Sequence, residues 1–196
     1  MNGDRPVGAV ILAAGASRRY GSPKQLAVVD GRTLLEHAIE SAMAADLTPV
    51  AAVVPVWLSR PARLDQAWLR WVRNPFPERG MGLSLRLGLE ALGDEVSAAV
   101  ILLGDQPVMP ATTIGAVLRA RGDRPIVAAL AGGVMAPPVL LERTHFDLAD
   151  GLTRDVGLRE VLRANPDLVT TARVTSHAPD IDLPDDLDRL SPDDAG

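Results

Sequence analysis

The sequence predicts an α/β protein, a single three-layer domain built on a mostly parallel sheet. Three observations predict it. Short apolar runs of strand length alternate with helical stretches along the whole chain, the pattern of strands joined by right-handed crossovers. One of those runs, Ala98–Leu103, reads A-A-V-I-L-L and is apolar throughout, as a central parallel strand covered on both faces would be. No linker, repeat or low-complexity stretch interrupts the 196 residues, a length that suits one domain. The predicted domain is therefore 1–196, with a core at about 7–190.

Taken in order, Val7–Ala13 is the first strand and breaks into small residues. Thr33–Ala45 is a helix, with Leu34, Leu35, Ala38, Ile39, Ala42 and Met43 on one stripe. Thr33 is its N-cap and Glu36, three residues on, completes a capping box. His37, on this helix, has no second ligand type nearby and reads as a packed or surface histidine. Val50–Val54 is a strand closed by Pro55. Arg60–Ala67 is weakly helical, and Leu69–Val72 is a short strand ending at Asn74-Pro75. Leu83–Leu92 is a helix with Leu83, Leu87 and Ala91 in register. After Ala98–Leu103 comes Pro110–Arg121, a helix with proline at a favoured first position. Pro125–Leu130 is a strand, and Val139–Leu141 another, antiparallel if present. Val156–Arg163 is helical, Val169–Val174 a late strand and Asp185–Leu190 a terminal helix, before a tail, S-P-D-D-A-G, expected to be loose.

Composition narrows the function. Apolar residues are 47% of the chain and aromatics 3%, so the core is aliphatic. The net charge of −5, with no basic run beyond the first loop, argues against a nucleic-acid partner. The absence of cysteine excludes disulfides and thiolate metal sites. The start, M-N-G-D-R-P, lacks the apolar stretch of a signal peptide, and no apolar run reaches spanning length. The expectation is a soluble cytoplasmic protein with no membrane contact.

The chemistry gathers at the ends of strands, where open α/β sheets hold their ligands. Past the first strand runs L-A-A-G-A-S-R-R-Y-G-S-P-K, Leu12 to Lys24. Small residues let the backbone approach a ligand, and successive N–H groups in such a turn form an anion-binding nest. Arg18, Arg19 and Lys24 add positive charge, and together these suit a polyphosphate. The spacing fits neither the Walker loop nor G-x-G-x-x-G, and an ordinary βα loop with solvated basic residues is the plain alternative. Past Ala98–Leu103 stands G-D-Q-P. Its Asp105 is either part of a simple turn or a hard oxygen ligand for Mg²⁺, which takes one or two carboxylates with phosphates and waters. Pairing with the loop at the first strand favours the metal. Both segments, with N-P-F-P-E-R-G-M-G past Leu69–Val72, follow strands and should open on one side.

The pattern L-A-A-G-x-S-x-R-x-G-x-x-K fixes eight positions in thirteen and resembles the signature of the MobA-like nucleotidyltransferases. It is most similar to the branch containing molybdenum cofactor cytidylyltransferase. Tyr20 stands where the family usually has Met. The resemblance implies a Rossmann-like nucleotidyltransferase sheet and a nucleotide site at Leu12, Ala13, Ala14, Gly15 and Lys24, with Lys24 and Arg19 acting on the triphosphate. L-G-D-Q-P resembles the family's L-x-D-x-P turn, whose aspartate, here Asp105, holds the catalytic Mg²⁺. N-P-F-P-E-R-G-M-G-L-S resembles a loop that contacts base and sugar, here Asn74, Gly80, Gly82 and Ser84; Ser84 is equally at home in a helix's first turn. D-I-D-L-P-D-D-L resembles D-I-D-T-P-x-D-L, so Asp182, or less surely Asp180, is a second metal carboxylate, or else part of an acid-rich helix start. R-D-V-G-L-R and Pro137-Pro138 depart from the family's G-D-x-G-x-R and His-Pro, on the acceptor side.

The implied reaction moves a nucleoside monophosphate from an NTP to a phosphorylated acceptor, molybdopterin cofactor first, releasing pyrophosphate. The implied nucleotide is CTP, because the guanylyltransferase branch more often reads L-A-G-G. A transient contact with a molybdoenzyme or its chaperone would follow. Another acceptor, such as a sugar phosphate or a different cofactor precursor, stays open. So does a non-catalytic nucleotide-binding maturation protein, which retention of both Lys24 and Asp105 argues against.

Overall fold

Seven strands hydrogen-bond into one sheet in the computed structural model, which describes residues 5–15, 20–106, 109–152 and 158–175. In chain order the strands are β1 (Val7–Leu12), β4 (Val50–Pro55), β5 (Leu69–Asn74), β6 (Ala98–Leu103), β7 (Ile126–Ala131), β8 (Val134–Glu142) and β9 (Val169–Arg173). The two-residue strands β2 (Val28–Val29) and β3 (Arg32–Thr33) form a separate hairpin. The sheet order is β5-β4-β1-β6-β8-β7-β9. Pairs β5/β4, β4/β1, β1/β6 and β7/β9 are parallel; β8 runs antiparallel to both β6 and β7. β6 is thus buried on both faces, as its apolar sequence requires, but has a parallel neighbour on one side only.

Two helical layers close the sheet. Helices α1 (Leu34–Ala44) and α3 (Ala111–Arg119) cover the face carrying Ala9, Ile11, Ala52, Val54, Val100 and Leu102. Helices α2 (Met81–Leu92) and α4 (Leu158–Ala164) cover the face carrying Val10, Leu12, Val53, Ala99, Ile101 and Val139. Consecutive residues of β1 therefore feed opposite cores, the alternation a strand imposes. The buried set is aliphatic and almost free of aromatics.

Local rules account for most boundaries. α1 begins at the capping box read from sequence: Thr33 Oγ1 accepts from the Glu36 N–H, and the Glu36 carboxylate accepts from the Thr33 N–H. His37 is packed, its Nε2 2.9 Å from the Val29 carbonyl. α2 starts two residues earlier than the periodicity suggested, directly after Gly80, whose φ of 96° suits glycine.

Two expectations change. The helix expected at Arg60–Ala67 is only a single 3₁₀ turn, Ala62–Leu64, whose end is held by the Arg60 guanidinium on the carbonyls of Leu64 and Gln66. The short strand at Val139–Leu141 is the end of the nine-residue β8. Pro137 and Pro138 disguised it; they sit where the β7/β8 register slips between Ala128 and Ala129, so no ladder bond asks for their missing N–H. A 3₁₀ segment at Arg143–Gly151 and the β2/β3 hairpin carry no clear periodicity and were not foreseen. The terminal helix Asp185–Leu190 and the tail lie outside the described residues.

Candidate functional site

A cavity of about 320 Å³ opens where β1, β5 and β6 end. Its walls are Leu12–Gly15 after β1, Pro77, Gly80, Met81 and Ser84 around the start of α2, Leu103 and Asp105 at the end of β6, and Gln25. The three loops read from sequence as opening together therefore contribute to one space.

Backbone bonds hold the floor. The Ala13 N–H donates to the Val53 carbonyl at 2.9 Å, and the Gly104 N–H donates to the Leu12 carbonyl at 2.9 Å. The loop after β1 is thus clamped by both neighbouring strands. A Cβ on residue 104 would lie 2.6 Å from the Cβ of Ala13, so the β6 turn reaches this loop only because glycine stands there. Asp105, next in the chain, is half-buried and faces the cavity.

The α2 wall is fixed from behind. Asn74, fully buried at the end of β5, donates through Nδ2 to Ser84 Oγ at 2.9 Å, and its Oδ1 accepts from the Phe76 N–H at 2.8 Å. Ser84 lines the cavity; Asn74 stands behind it. Gly82 also lies outside the lining set: a Cβ there would come within 2.2 Å of the Leu152 carbonyl oxygen. It serves close packing of α2 against the segment ending at Leu152.

Lys24 and Gln25 share one 3₁₀ turn, Lys24–Leu26, closed by bonds from Leu26 N–H to Pro23 carbonyl and from Ala27 N–H to Lys24 carbonyl, each 2.9 Å. Three residues per turn aim neighbours in different directions. Gln25 points inward and is 2% exposed; Lys24 is half-buried and outside the lining set. Gln25 is a lining residue that the sequence reading does not mark, because a single 3₁₀ turn leaves no hydrophobic periodicity to show its inner side. Met81, Pro77 and Leu103 were passed over as plain apolar positions.

A second cavity, of about 260 Å³, shares Met81 and Leu103 with the first and adds Gln106, Ala136, Pro137, Leu158, Arg159 and Glu160. Pro137 and Arg159, from the two segments that depart from the family pattern, therefore meet beside the main cavity. Arg19, Arg154, Asp180 and Asp182 lie outside the described residues.

A model of the MobA-like NTP transferase domain matches residues 9–169. The chain belongs to the MobA-like NTP transferase family. Among relatives, it is 32% identical to nicotine blue oxidoreductase of Paenarthrobacter nicotinovorans, over 92% of this chain and 94% of that protein. It is 27% identical to the purine catabolism protein PucB of Bacillus subtilis, again over 92% and 94%. Among solved structures, Rv0371c of Mycobacterium tuberculosis superposes with a TM-score of 0.80 at 25% identity, covering 94% of this chain and 97% of that one. The α/β sheet is thus that of the MobA-like family, and the family's signature segment, Leu12–Lys24, runs along the main cavity through Leu12–Gly15.

Nucleotidyltransferases commonly use divalent metals, and the chemistry of Asp105 fits such an ion. It offers a hard oxygen donor at the rim of a cavity large enough for phosphate groups. Among the described residues no group of three or more His, Cys, Asp or Glu comes together. Among the described residues no helix is long and apolar enough to cross a membrane.

Proposed function

We propose that this chain transfers a nucleoside monophosphate from an NTP, CTP before GTP, to a phosphorylated small-molecule acceptor, with molybdopterin cofactor the first choice, releasing pyrophosphate. The observation that carries the reading is the cavity that brings Leu12–Gly15 together with Asp105, beside a second cavity sharing its wall at Met81 and Leu103. Donor and acceptor can then lie side by side, which is most of what such a transfer needs.

An acceptor phosphate monoester has a second pKa of about 6 and is largely dianionic at neutral pH. It needs no general base. Its oxygen attacks the α-phosphorus, the bond to the β-phosphate oxygen breaks, and pyrophosphate leaves with the bonding electrons. The protein's work is positioning and charge neutralisation. The clamped Leu12–Gly15 backbone supports the nucleotide. Lys24, on its short turn, and Arg19 offset triphosphate charge. Ser84, Gly80 and Met81 form the opposing wall. Asp105, with Asp182, would hold Mg²⁺, which supplies charge stabilisation of the leaving pyrophosphate when bound. Arg159 and Gln106 offer polar atoms to the acceptor in the second cavity.

The preference for CTP rests on Ala14, which lines the cavity where the guanylyltransferase branch more often has glycine; its methyl group would leave room for a pyrimidine more readily than for a purine. One methyl group discriminates modestly, by about 1–3 kcal/mol. The test is pyrophosphate release from each of the four NTPs with and without molybdopterin phosphate, then CTP and GTP in competition. Mainly GMP transfer overturns the base preference, and transfer only to another phosphorylated acceptor overturns the choice of molybdopterin.

The relative named nicotine blue oxidoreductase, at 32% identity over nearly the whole chain, favours a second reading, a redox protein on the same scaffold. Failure of every NTP to release pyrophosphate, together with turnover of nicotine blue in an oxidoreductase assay, would establish that reading instead.

A further inference from the structure

Gln25 presents a buried donor that no group among the described residues uses. Its Nε2 is sealed from solvent and has no hydrogen-bond partner among the described residues. Such a group ordinarily has a partner, because leaving it unpaired forfeits its hydration with no return. Among buried side-chain nitrogen and oxygen atoms of the described residues it stands alone in this respect, while its side chain lines the main cavity. The partner is therefore to be sought in what fills the cavity.

The chemistry of the surroundings narrows that partner. The orphaned atom is a donor, and among the buried side-chain nitrogen and oxygen atoms of the described residues no acceptor is orphaned with it. A nucleobase edge carries donors as well as acceptors, and reading it calls for both. A phosphate offers acceptors alone, and its charge makes the bond from a desolvated amide a strong one. Gln25 also follows Lys24 on a single closed turn, and faces a cavity whose wall includes Gly15, at the end of the clamped loop. Ser84, a polar group on the opposite wall, already accepts from Asn74.

We propose that the Gln25 side-chain amide donates to a phosphate oxygen of the bound nucleoside triphosphate, a contact independent of the base. This rests on the reading of the cavity as the NTP site. The two residues of the turn then divide the work: Lys24 supplies charge, and Gln25 a directed hydrogen bond.

The experiment is calorimetric titration of wild type, Gln25→Met and Gln25→Glu with CTP, GTP and pyrophosphate in the presence of Mg²⁺, with thermal unfolding of each ligand-free protein. Methionine keeps the length and removes the donor. The expected result is a Gln25→Met protein whose ligand-free unfolding temperature is no lower than wild type, since an unpaired donor is removed. Its affinity for all three ligands falls by a common factor of about ten or more. Gln25→Glu, the same shape with a carboxylate, binds them more weakly still. It also carries the test should Gln25→Met fail to fold. Equal affinity in wild type and variants overturns the inference and leaves the NTP site standing. A loss for one base with the other and pyrophosphate unchanged overturns it too. A wild type that binds none of the three overturns both.

Discussion

Asn74 Nδ2 donates to Ser84 Oγ at 2.9 Å while Asn74 Oδ1 accepts from the Phe76 N–H at 2.8 Å. One fully buried amide thereby ties the end of β5, the turn that follows it and the first turn of α2. It is a positioning residue for the cavity wall. Truncating it removes two bonds and strands the polar groups left behind, a cost of about 1–3 kcal/mol. Asn74→Ala should lose that much stability in urea unfolding, and Ser84→Ala should lose part of it. A double-mutant cycle should give a coupling of about 1 kcal/mol; additive effects would mean that the two side chains do not cooperate.

Much of this was legible in the sequence because it follows from local rules. The capping box at Thr33 and Glu36, the apolar run of β6 and the placement of the loops past β1, β5 and β6 each depend on a few adjacent residues. What was illegible depends on contacts distant in sequence. The prolines of β8 look like strand breakers until its pairing with β7 shows them to be the extra residues of a bulge. Gln25 carries no mark in the sequence, and only the turn aims it inward. Asn74 and Gly82, read as nucleotide contacts by resemblance, lie behind the wall. A motif fixes residue types at positions and does not separate those that touch a ligand from those that shape the surface touching it.

Gly82 makes the same point through packing. Its Cα faces the backbone of Leu152, with a carbonyl oxygen 2.2 Å from where a Cβ would lie. Backbone on both sides cannot yield as a flexible side chain would. Gly82→Ala should therefore sit at or above the top of the usual overpacking range, about 3 kcal/mol, although alanine is otherwise the better helix residue. An unchanged or raised unfolding temperature would show that α2 is free to move away from Leu152.

The cap of α1 has a pH signature. The Arg63 guanidinium, hydrogen-bonded to Glu36, holds its carboxyl well below the usual range, at about 2, against the opposing effect of burial; the Thr33 bonds add to the lowering. A carboxyl whose folded pKa is depressed stabilises the fold above its unfolded value, about 4.3, and loses that contribution as pH falls toward 2. Glu36→Gln keeps the capping box and removes the charge. It should cost about 1 kcal/mol at pH 7, modest because Arg63 is largely exposed. The gap between wild type and variant should close between about pH 4.5 and 2. A gap that stays constant across that window would remove the ion pair from the account.

Lys24 is expected to act on the triphosphate as a compact point charge from a turn closed by two backbone bonds. Lys24→Ala should lose most transfer activity and weaken NTP binding. Lys24→Arg should restore it only in part, because the guanidinium is a wide planar fork carried on a longer stem. If Lys24→Ala alters neither rate nor triphosphate affinity, the charge on this turn serves another purpose.

Asp105 tests the metal. It stands just past the rigid β6, on a turn held against the first loop by the Gly104 to Leu12 bond and by the close approach of Gly104 to Ala13. That rigidity would make its carboxylate a fixed ligand under the proposed reading, setting where a divalent ion meets the phosphates with little side-chain ordering at the moment of binding. Being half-buried at a cavity rim, it contributes little to the core. Asp105→Asn should therefore remain folded, with stability within about 1 kcal/mol of wild type. The asparagine keeps the shape and loses the anionic oxygen. Transfer should fall by several kcal/mol of transition-state stabilisation, about a thousandfold or more, and the dependence of rate on Mg²⁺ concentration should shift upward. Stability and rate thus separate a ligand from a turn former: a simple turn residue would leave the rate alone. Activity within tenfold of wild type, a loss below about 1.4 kcal/mol, would take Asp105 out of the metal site and leave it as the residue that ends β6.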